Sequence, residues 1–587
     1  APLPDPKPPL GFKPNFVLFL ADDQDRILGR EGYDTMGSLA AMPQLQRRLV
    51  NEGAFVEHFY VNTPICCPSR TELLTGRYFH NVGPPRMPGS CMHVDTSVAS
   101  SNETGLFGLL TRVGYAVGVF GKVTNDQERV LSELVASKSV DAIDSPLNYN
   151  DYDGLPYFRY DRLNGARVEA LSPDAPEFGT TYQTSQIGNR TTRWLRRAMA
   201  DTTTHGRPFF AFVGPHAPHF PAEPAPWHRS TFAELRAPIT PNYNLSSPGK
   251  AQHVRQNPPL SAGVLCWQNA HFRDRWASLL AVDDLVGEVL DLLSRDVTIL
   301  KKTYVLYTSD HGYKLGQWRI GTSKQHPYKT DIHVPFLIRG PGIQAGANLS
   351  SHLAGNIDVL PTILELAAGD AFVSAVSPDG RSMLSFLITK YGNLSGLTPL
   401  KESAPKRPWR TAFLNEYISV GTYFNDHAPC WEPADHRTTR LCGGPIPRAP
   451  HSLAASAKRR SASTFPDTTR FNRGLAAVSL TQPPQCVEAN GTGEGNCYFI
   501  DSLHSNSWRQ LRLINLTHNL NYVEYDRAWR FDPDAGAAGR LQHYELYDLT
   551  RDPFQVDNLY LNASASQRSE LHALLGDYFL CSGDTCP

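Results

Sequence analysis

Asn15-Phe16-Val17-Leu18-Phe19-Leu20 is a continuous apolar run, entered from Pro14 and followed closely by Asp22-Asp23. A strand with one wet face alternates apolar and polar residues. An unbroken run instead fits a strand buried on both faces of a parallel sheet. Runs of the same kind recur at 116–120, 209–213, 304–308 and 334–338. Helical patterns lie between them at 43–52, 193–200, 277–294 and 356–367. In 277–294 the residues Leu280, Leu285, Val289 and Leu292 make an apolar stripe, and Asn356 is a candidate N-cap of the last helix. Strands alternating with helices predict a doubly wound α/β sheet, large and mostly parallel. Such sheets bind ligands at the carboxyl ends of their strands. Polar clusters follow the strands here in that way: Asp22-Asp23, Gly121-Lys122, His216 to His219, and Asp310-His311.

The chain has 587 residues, ample for a substantial core. At roughly 100–200 residues per domain it predicts three to five compact units, or one large α/β domain with an appendage. Lys+Arg 56 against Asp+Glu 57 gives a net charge of −1, which excludes a globally basic nucleic-acid coat and a long acidic tail. No run of 18 apolar residues occurs, so no membrane-spanning helix is expected. Residues 1–7 are polar and Pro-rich, without the apolar core of a signal peptide; either none existed or it has been removed. The texture changes near residue 400, which predicts a catalytic unit over 1–400 and a C-terminal subdomain over 401–587. Within the latter, 427–473 is rich in Pro, Ser, Ala and Arg and reads as a long solvated loop; a protease-sensitive or substrate-facing loop is the sharper alternative. Strand-like runs at 497–501, 508–513 and 544–549 predict a smaller antiparallel sheet.

Eight Asn-X-Ser/Thr sequons, at Asn102, Asn189, Asn244, Asn348, Asn393, Asn490, Asn515 and Asn562, point to a glycosylated protein of the secretory pathway. Ten Cys agree with an oxidising compartment. Cys581 with Cys586, Cys486 with Cys497, and Cys430 with Cys442 are local candidate pairs, although spacing does not settle connectivity. Cys66, Cys67, Cys91 and Cys266 remain. No zinc-type Cys/His spacing appears.

The stretch Cys66-Cys67-Pro68-Ser69-Arg70-Thr71-Glu72-Leu73-Leu74-Thr75-Gly76-Arg77 carries the chemistry. A Cys at the start of a short helix, one turn from an Arg, sits where anionic groups are favoured. The pattern resembles the signature of the type I sulfatase family. Within it the chain is most similar to the branch of N-acetylglucosamine-6-sulfatases and eukaryotic arylsulfatases. Ala21-Asp22-Asp23-Gln24-Asp25, Thr63-Pro64-Ile65-Cys66-Cys67 and Ser309-Asp310-His311-Gly312-Tyr313 support the family. Glu545-Leu546-Tyr547-Asp548-Leu549, Asp552-Pro553 and Cys581-Ser582-Gly583-Asp584-Thr585-Cys586 support the branch. The resemblance implies an alkaline-phosphatase-like fold. It also implies conversion of Cys66 to formylglycine by a formylglycine-generating enzyme, and one Ca²⁺ held by Asp22, Asp23, residue 66, Asp310 and His311. His311 stands where Asn is commoner, and imidazole suits Ca²⁺ less well than carboxylate. Arg70, Lys122, His219 and Lys324 match the family's sulfate- and substrate-facing groups. His216 is the lesser candidate of the two histidines, and Asn125 stands where many relatives carry His.

The implied reaction is hydrolysis of a sulfate monoester. The ester is an anion, so a metal and fixed cations must offset its repulsion of a nucleophile. Hydrated formylglycine offers two geminal hydroxyls. One attacks sulfur in line after Asp23 or Asp310 takes its proton, and His219 or Lys324 protonates the leaving oxygen. The second hydroxyl regenerates the aldehyde and releases sulfate, a step open to neither Ser nor Cys. The expected substrate is the 6-O-sulfate of N-acetylglucosamine in a glycosaminoglycan, with an aryl sulfate or another polysaccharide sulfate as the alternative. A two-metal phosphatase or phosphodiesterase and a non-catalytic relative are the remoter readings. Residence is expected in the lysosome or outside the cell.

Overall fold

The computed structural model describes residues 3–26, 37–82, 94–147, 152–153, 156–170, 180–255, 257, 259–260, 262–320, 322–388, 408–418, 506–515, 517–526 and 541–587. Its strands, in chain order, are β1 (Asn15–Ala21), β2 (Ala54–Tyr60), β3 (Ala116–Gly121), β4 (Ala142–Pro146), β5 (Pro156–Asp161), β6 (Gly165–Ala170), β7 (Phe209–Gly214) and β8 (Thr303–Ser309). There follow β9 (Lys314–Leu315), β10 (Thr322–Ser323), β11 (Phe336–Arg339), β12 (Ala347–Gly355), β13 (Ala412–Tyr417), β14 (Trp508–Ile514), β15 (Asn519–Asp526) and β16 (Leu541–Asp548).

Ten strands form one sheet in the order β12-β2-β11-β8-β1-β7-β3-β4-β5-β6. β1 lies at its centre and pairs in parallel with β8 and β7, Phe16 standing between Tyr304 and Phe210. The parallel block runs from β8 to β4; β11 is reversed between β8 and β2, and the β5–β6 hairpin closes the other edge antiparallel. All seven residues of β1 are buried. Because side chains alternate across a strand, Phe16, Leu18 and Leu20 enter one apolar core while Val17, Phe19 and Ala21 enter another on the opposite face. The helices Leu106–Arg112 and Val359–Ala368 supply the first core, and Gln183–His205 and Ala262–Leu293 the second. This two-sided burial is why the run in β1 is unbroken.

The helical patterns hold with altered bounds. The pattern at 193–200 is part of Gln183–His205, which ends on Gly206 at φ +70°. That at 277–294 begins earlier, in Ala262–Leu293. The 43–52 segment is shorter: Pro43–Leu45 passes into a π turn over Gln46–Val50, and the Asp283 carboxylate accepts from the amides of Gln44 and Leu45 at 2.8 and 2.7 Å. Asn356 is not an N-cap. Gly355 holds that place, and the Asn356 amide donates instead to Ser69 O (3.2 Å) and Glu72 Oε2 (2.8 Å). The run at 334–338 becomes a strand only from Phe336, since Pro335 has no amide hydrogen to give the ladder.

The second sheet, β13-β14-β15-β16, is antiparallel throughout and takes in the runs at 508–513 and 544–549. The run at 497–501, the stretch 427–473 and Cys91, Cys430, Cys442, Cys486 and Cys497 lie outside the described residues. The Cys581–Cys586 disulfide is present. Phe413, Trp508 and Tyr522 of this sheet belong to the same apolar core as Phe16 and Leu18. Gly355 ends β12 where the Phe413 ring meets its backbone, leaving no room for a Cβ. Among the described residues no helix is long and apolar enough to cross a membrane. Of the sequons, Asn348, Asn515 and Asn562 are exposed; Asn102, Asn189 and Asn244 are half-buried, and Asn393 and Asn490 lie outside the described residues.

Because the two sheets share one core, Phe413→Ala should cost about 3–5 kcal/mol and lower the midpoint of a single urea transition; a loss below about 1 kcal/mol would contradict the shared core. His80 adds a pH signature. Its Nδ1 lies 2.8 Å from Glu416 Oε1 and its Nε2 3.2 Å from Cys581 O. Burial alone would lower the imidazole's pKa, but Glu416 outweighs burial and raises it. A raised folded pKa gives stability that is complete below the unfolded value of about 6.5 and is lost as pH rises through the folded one. His80→Gln should therefore flatten the decline in urea midpoint between neutral and alkaline pH.

Candidate active site

Four strand ends converge on one edge of the large sheet. Asp22 and Asp23 follow β1, Lys122 follows β3, His216 follows β7 by two residues, and Asp310 and His311 follow β8. Asp23 turns away from its strand at φ +63°, a left-handed conformation that Asp tolerates better than most residues. The helix Cys66–Thr75 presents Cys66 at its first position and stops at Gly76, whose φ of +66° suits a residue without a side chain.

Cys66 Sγ lies at the centre, 3.5 Å from Asp22 Oδ1, 3.2 Å from His311 Nε2 and 3.5 Å from Lys324 Nζ. Each carboxylate is paired. Asp22 Oδ2 accepts from Lys122 Nζ at 2.6 Å and contacts His216 Nδ1 at 3.2 Å. Asp310 Oδ2 accepts from Arg70 Nε at 2.7 Å, and Arg70 Nη2 comes to 3.7 Å from Asp22. Asp23 Oδ1 accepts from Lys324 Nζ at 2.6 Å, with His311 Nε2 at 3.3 Å. His219 Nε2 stands 3.9 Å from Asp23 Oδ2. Arg70 also donates to Lys122 O at 2.7 Å, so one guanidinium ties the β1, β3 and β8 ends together.

Burial by itself would push the Asp22 carboxyl up; Lys122, His219 and Arg70 outweigh it and hold it well below the usual carboxylate range. Burial would strip the proton from Lys324, but Asp23, Cys66 and Asp22 raise its pKa well above the ordinary value. Burial draws the His219, His216 and His311 rings below their ordinary pKa. Burial and the Asp22 charge push the Cys66 thiol up to about 12, so at neutral pH it is an un-ionised, weak nucleophile.

Asp23 Oδ2 is buried and meets no hydrogen-bond donor. Ligand atoms of Asp22, Asp23, Cys66 and His219, and those of Asp22, Cys66, Asp310 and His311, lie within 4.8 Å of one another. Two carboxylates in each set, Asp22 being common to both, and an orphaned Asp23 oxygen fit a hard cation that prefers oxygen ligands.

The sulfatase family model matches residues 14–369, which contain every residue of this cluster. The chain belongs to the sulfatase family. It is a sulfuric ester hydrolase. The sulfatase is 27% identical over 583 residues to the N-acetylglucosamine-6-sulfatase of Capra hircus, spanning 98% of this chain and 85% of the relative. It is 26% identical over 607 residues to an arylsulfatase of Volvox carteri, spanning 98% of this chain and 76% of the relative. Its fold superposes with a TM-score of 0.60 and 18% identity on a protein solved in complex with its substrate D-glucosamine-2-N,6-O-disulfate, covering 96% and 97% of the chains. The alkaline-phosphatase-like architecture expected from the motifs is thus the observed one.

The sulfatase brings Asp22, Asp23, Cys66, Arg70, Lys122, His219, Asp310, His311 and Lys324 into one cluster. Cys67, the next residue, is engaged in a disulfide, whereas Cys66 is a free buried thiol. Other groups were ranked low or passed over in the motifs. His216, the lesser candidate, is fully buried against Asp22 while the His219 side chain keeps 19% exposure. Arg275 reaches from the middle of the helix Ala262–Leu293 to Asp23 O (2.7 Å) and Asp25 Oδ1 (3.0 Å). Ser69 donates to Asp310 O. The Ser69 position within the signature was a usable signal; nothing local marks Arg275.

Arg70→Met leaves the Asp22 and Asp310 carboxylates buried with one cation fewer. Removing one partner of a buried pair costs about 3–5 kcal/mol. Chemical denaturation of the sulfatase without added divalent cation should show that loss, and an unchanged midpoint would contradict the pairing.

Proposed function

We propose that this chain hydrolyses the 6-O-sulfate of N-acetylglucosamine in glycosaminoglycans, using Cys66 oxidised to formylglycine and one Ca²⁺. The observation that carries the reading is the placing of Cys66. It is a free thiol at the centre of the carboxylate and lysine cluster, with an elevated pKa that makes it a poor nucleophile unmodified. Oxidation there would supply a hydrated aldehyde, a nucleophile that can also let sulfate go, which a Ser or Cys cannot do. The residues that would hold the cation are Asp22, Asp23, Asp310 and residue 66, with His311 beside them. Bound Ca²⁺ would supply charge compensation for the sulfate oxygens and the nucleophile.

The remaining roles follow from the chain's own groups. Lys122 and Arg70 hold the carboxylates in place and add positive charge to a site that must receive an anion. Lys324 faces residue 66 and carries a proton, which makes it the better candidate to protonate the leaving oxygen. His219, partly exposed and with its pKa depressed by burial, faces the entry side as a hydrogen-bonding group for substrate. The sugar assignment is supported by likeness to N-acetylglucosamine-6-sulfatases over nearly the whole chain. The similar likeness to an arylsulfatase favours an aryl sulfate as the second reading. Maturation would need a formylglycine-generating enzyme. The Cys581–Cys586 disulfide and the exposed sequons support passage through the secretory pathway, to the lysosome or beyond the cell.

Peptide mapping by mass spectrometry should find formylglycine at position 66 in protein from a competent secretory host, and 6-O-sulfated N-acetylglucosamine oligosaccharides should be desulfated faster than aryl sulfates. An intact thiol at that position in active protein would end the formylglycine reading. Asp310→Asn should weaken Ca²⁺ binding by about tenfold or more in calorimetry; unchanged affinity would remove Asp310 from the ligand set.

A further inference from the structure

We propose that the C-terminal sheet is a positioning element of the active site: Tyr417 on β13 and Trp508 on β14 hold Gln325 so that Lys324 keeps its ammonium against Asp23 and Cys66. This rests on the reading of Lys324 as a substrate-facing cation. Lys324 belongs to a segment between β10 and β11 with no regular strand of its own to fix it. Its neighbour Gln325 has φ +80°, a left-handed backbone that residues with a side chain avoid unless surrounding contacts impose it.

Those contacts come largely from the second sheet. Trp508 Nε1 donates to Gln325 O at 3.0 Å, and Asn506 Nδ2 donates to the same oxygen at 3.1 Å. The Tyr417 hydroxyl donates to Gln325 Oε1 at 2.9 Å. Trp508 and Tyr417 are almost wholly buried, at 0% and 1% exposure, so neither ring is free to follow a wandering loop. From the other side Lys314 Nζ donates to Lys324 O at 3.0 Å while paired with Asp331 at 2.7 Å. The chain on either side of Lys324 is anchored as well. The Lys250 ammonium lies over the rings of Trp318, Tyr328 and Tyr547 at 4.0, 4.1 and 4.3 Å, with Glu545 Oε2 at 3.5 Å, and so joins residues 318 and 328 to β16. A lysine with four rotatable side-chain bonds gains its fixed Nζ position from a fixed backbone. Here that backbone is fixed in large part by residues more than ninety positions away in sequence.

The test uses the full-length, formylglycine-bearing protein with an activated aryl sulfate. Tyr417→Phe keeps the ring and removes only the hydroxyl; it should lower kcat on the order of tenfold while KM stays within about twofold. Trp508→Phe, which removes the indole N–H, should act in the same direction. In a Lys324→Ala background, Tyr417→Phe should have little further effect, because a residue that acts through Lys324 has nothing left to position. Wild-type kcat in Tyr417→Phe, or equal losses in both backgrounds, would overturn the proposal. Loss of the Lys324 reading shows separately: Lys324→Ala would then turn over like wild type, which overturns both.

Discussion

The pairing of buried carboxylates with buried cations at the end of β1 is the constraint on which the site depends. Asp22 has ligand atoms within 4.8 Å of those of Asp23 in one set and of Asp310 in another, and all three are buried. Left alone, such like charges would repel one another. Lys122, Arg70 and Lys324 prevent this, each at 2.6 or 2.7 Å from one of the three. Such a cluster is costly to bury, and its retention is weak evidence for stability in itself. What it secures is geometry. The cations come from β3, from the Cys66–Thr75 helix and from the segment before β11, so the cluster closes only when these distant pieces of chain have docked on the central strand.

Two adjacent cysteines show how the same neighbourhood separates chemistry from scaffolding. Cys67 is spent in a disulfide, and Cys66 is free. Both are buried, and both belong to one helical turn, yet only Cys66 points among the carboxylates. Burial that raises its pKa would be a defect in a thiolate nucleophile. It is no handicap for a side chain that serves as a precursor to something else. The local electrostatics therefore argue in the same direction as the motif, by an independent route.

Much of this was legible in the chain itself, for reasons that differ by element. The strand at Asn15 declared itself because two-sided burial leaves an unbroken apolar run. The charged residues that follow β1, β3 and β8 were legible as a cluster because a doubly wound sheet brings its strand ends together. Element bounds were less legible: the helix around Arg193 runs to both sides through Thr, Arg and Gln positions whose polarity hides them from an apolar-stripe reading. Asn356 misled because Asn caps helices in general, whereas here its amide serves the Cys66–Thr75 helix. Arg275 was out of reach altogether, since an Arg inside a long helix carries no local sign of which carboxylate it meets.

The second sheet changes what a catalytic unit means here. A division near residue 400 follows the change of texture in the sequence, but packing does not stop there. Phe413 presses on the backbone of Gly355, Glu416 N donates to Asn62 O, and Trp508 shares a core with Phe16. Asn62 N in turn donates to Asn356 Oδ1, and the Asn356 amide reaches the helix that carries Cys66. Contacts of this kind run from β13 to the helix that carries Cys66 through buried, directional hydrogen bonds. The strand order of the first sheet places the carboxylates; the second sheet, lying against the segment that brings Lys324, completes the ring of charge around them.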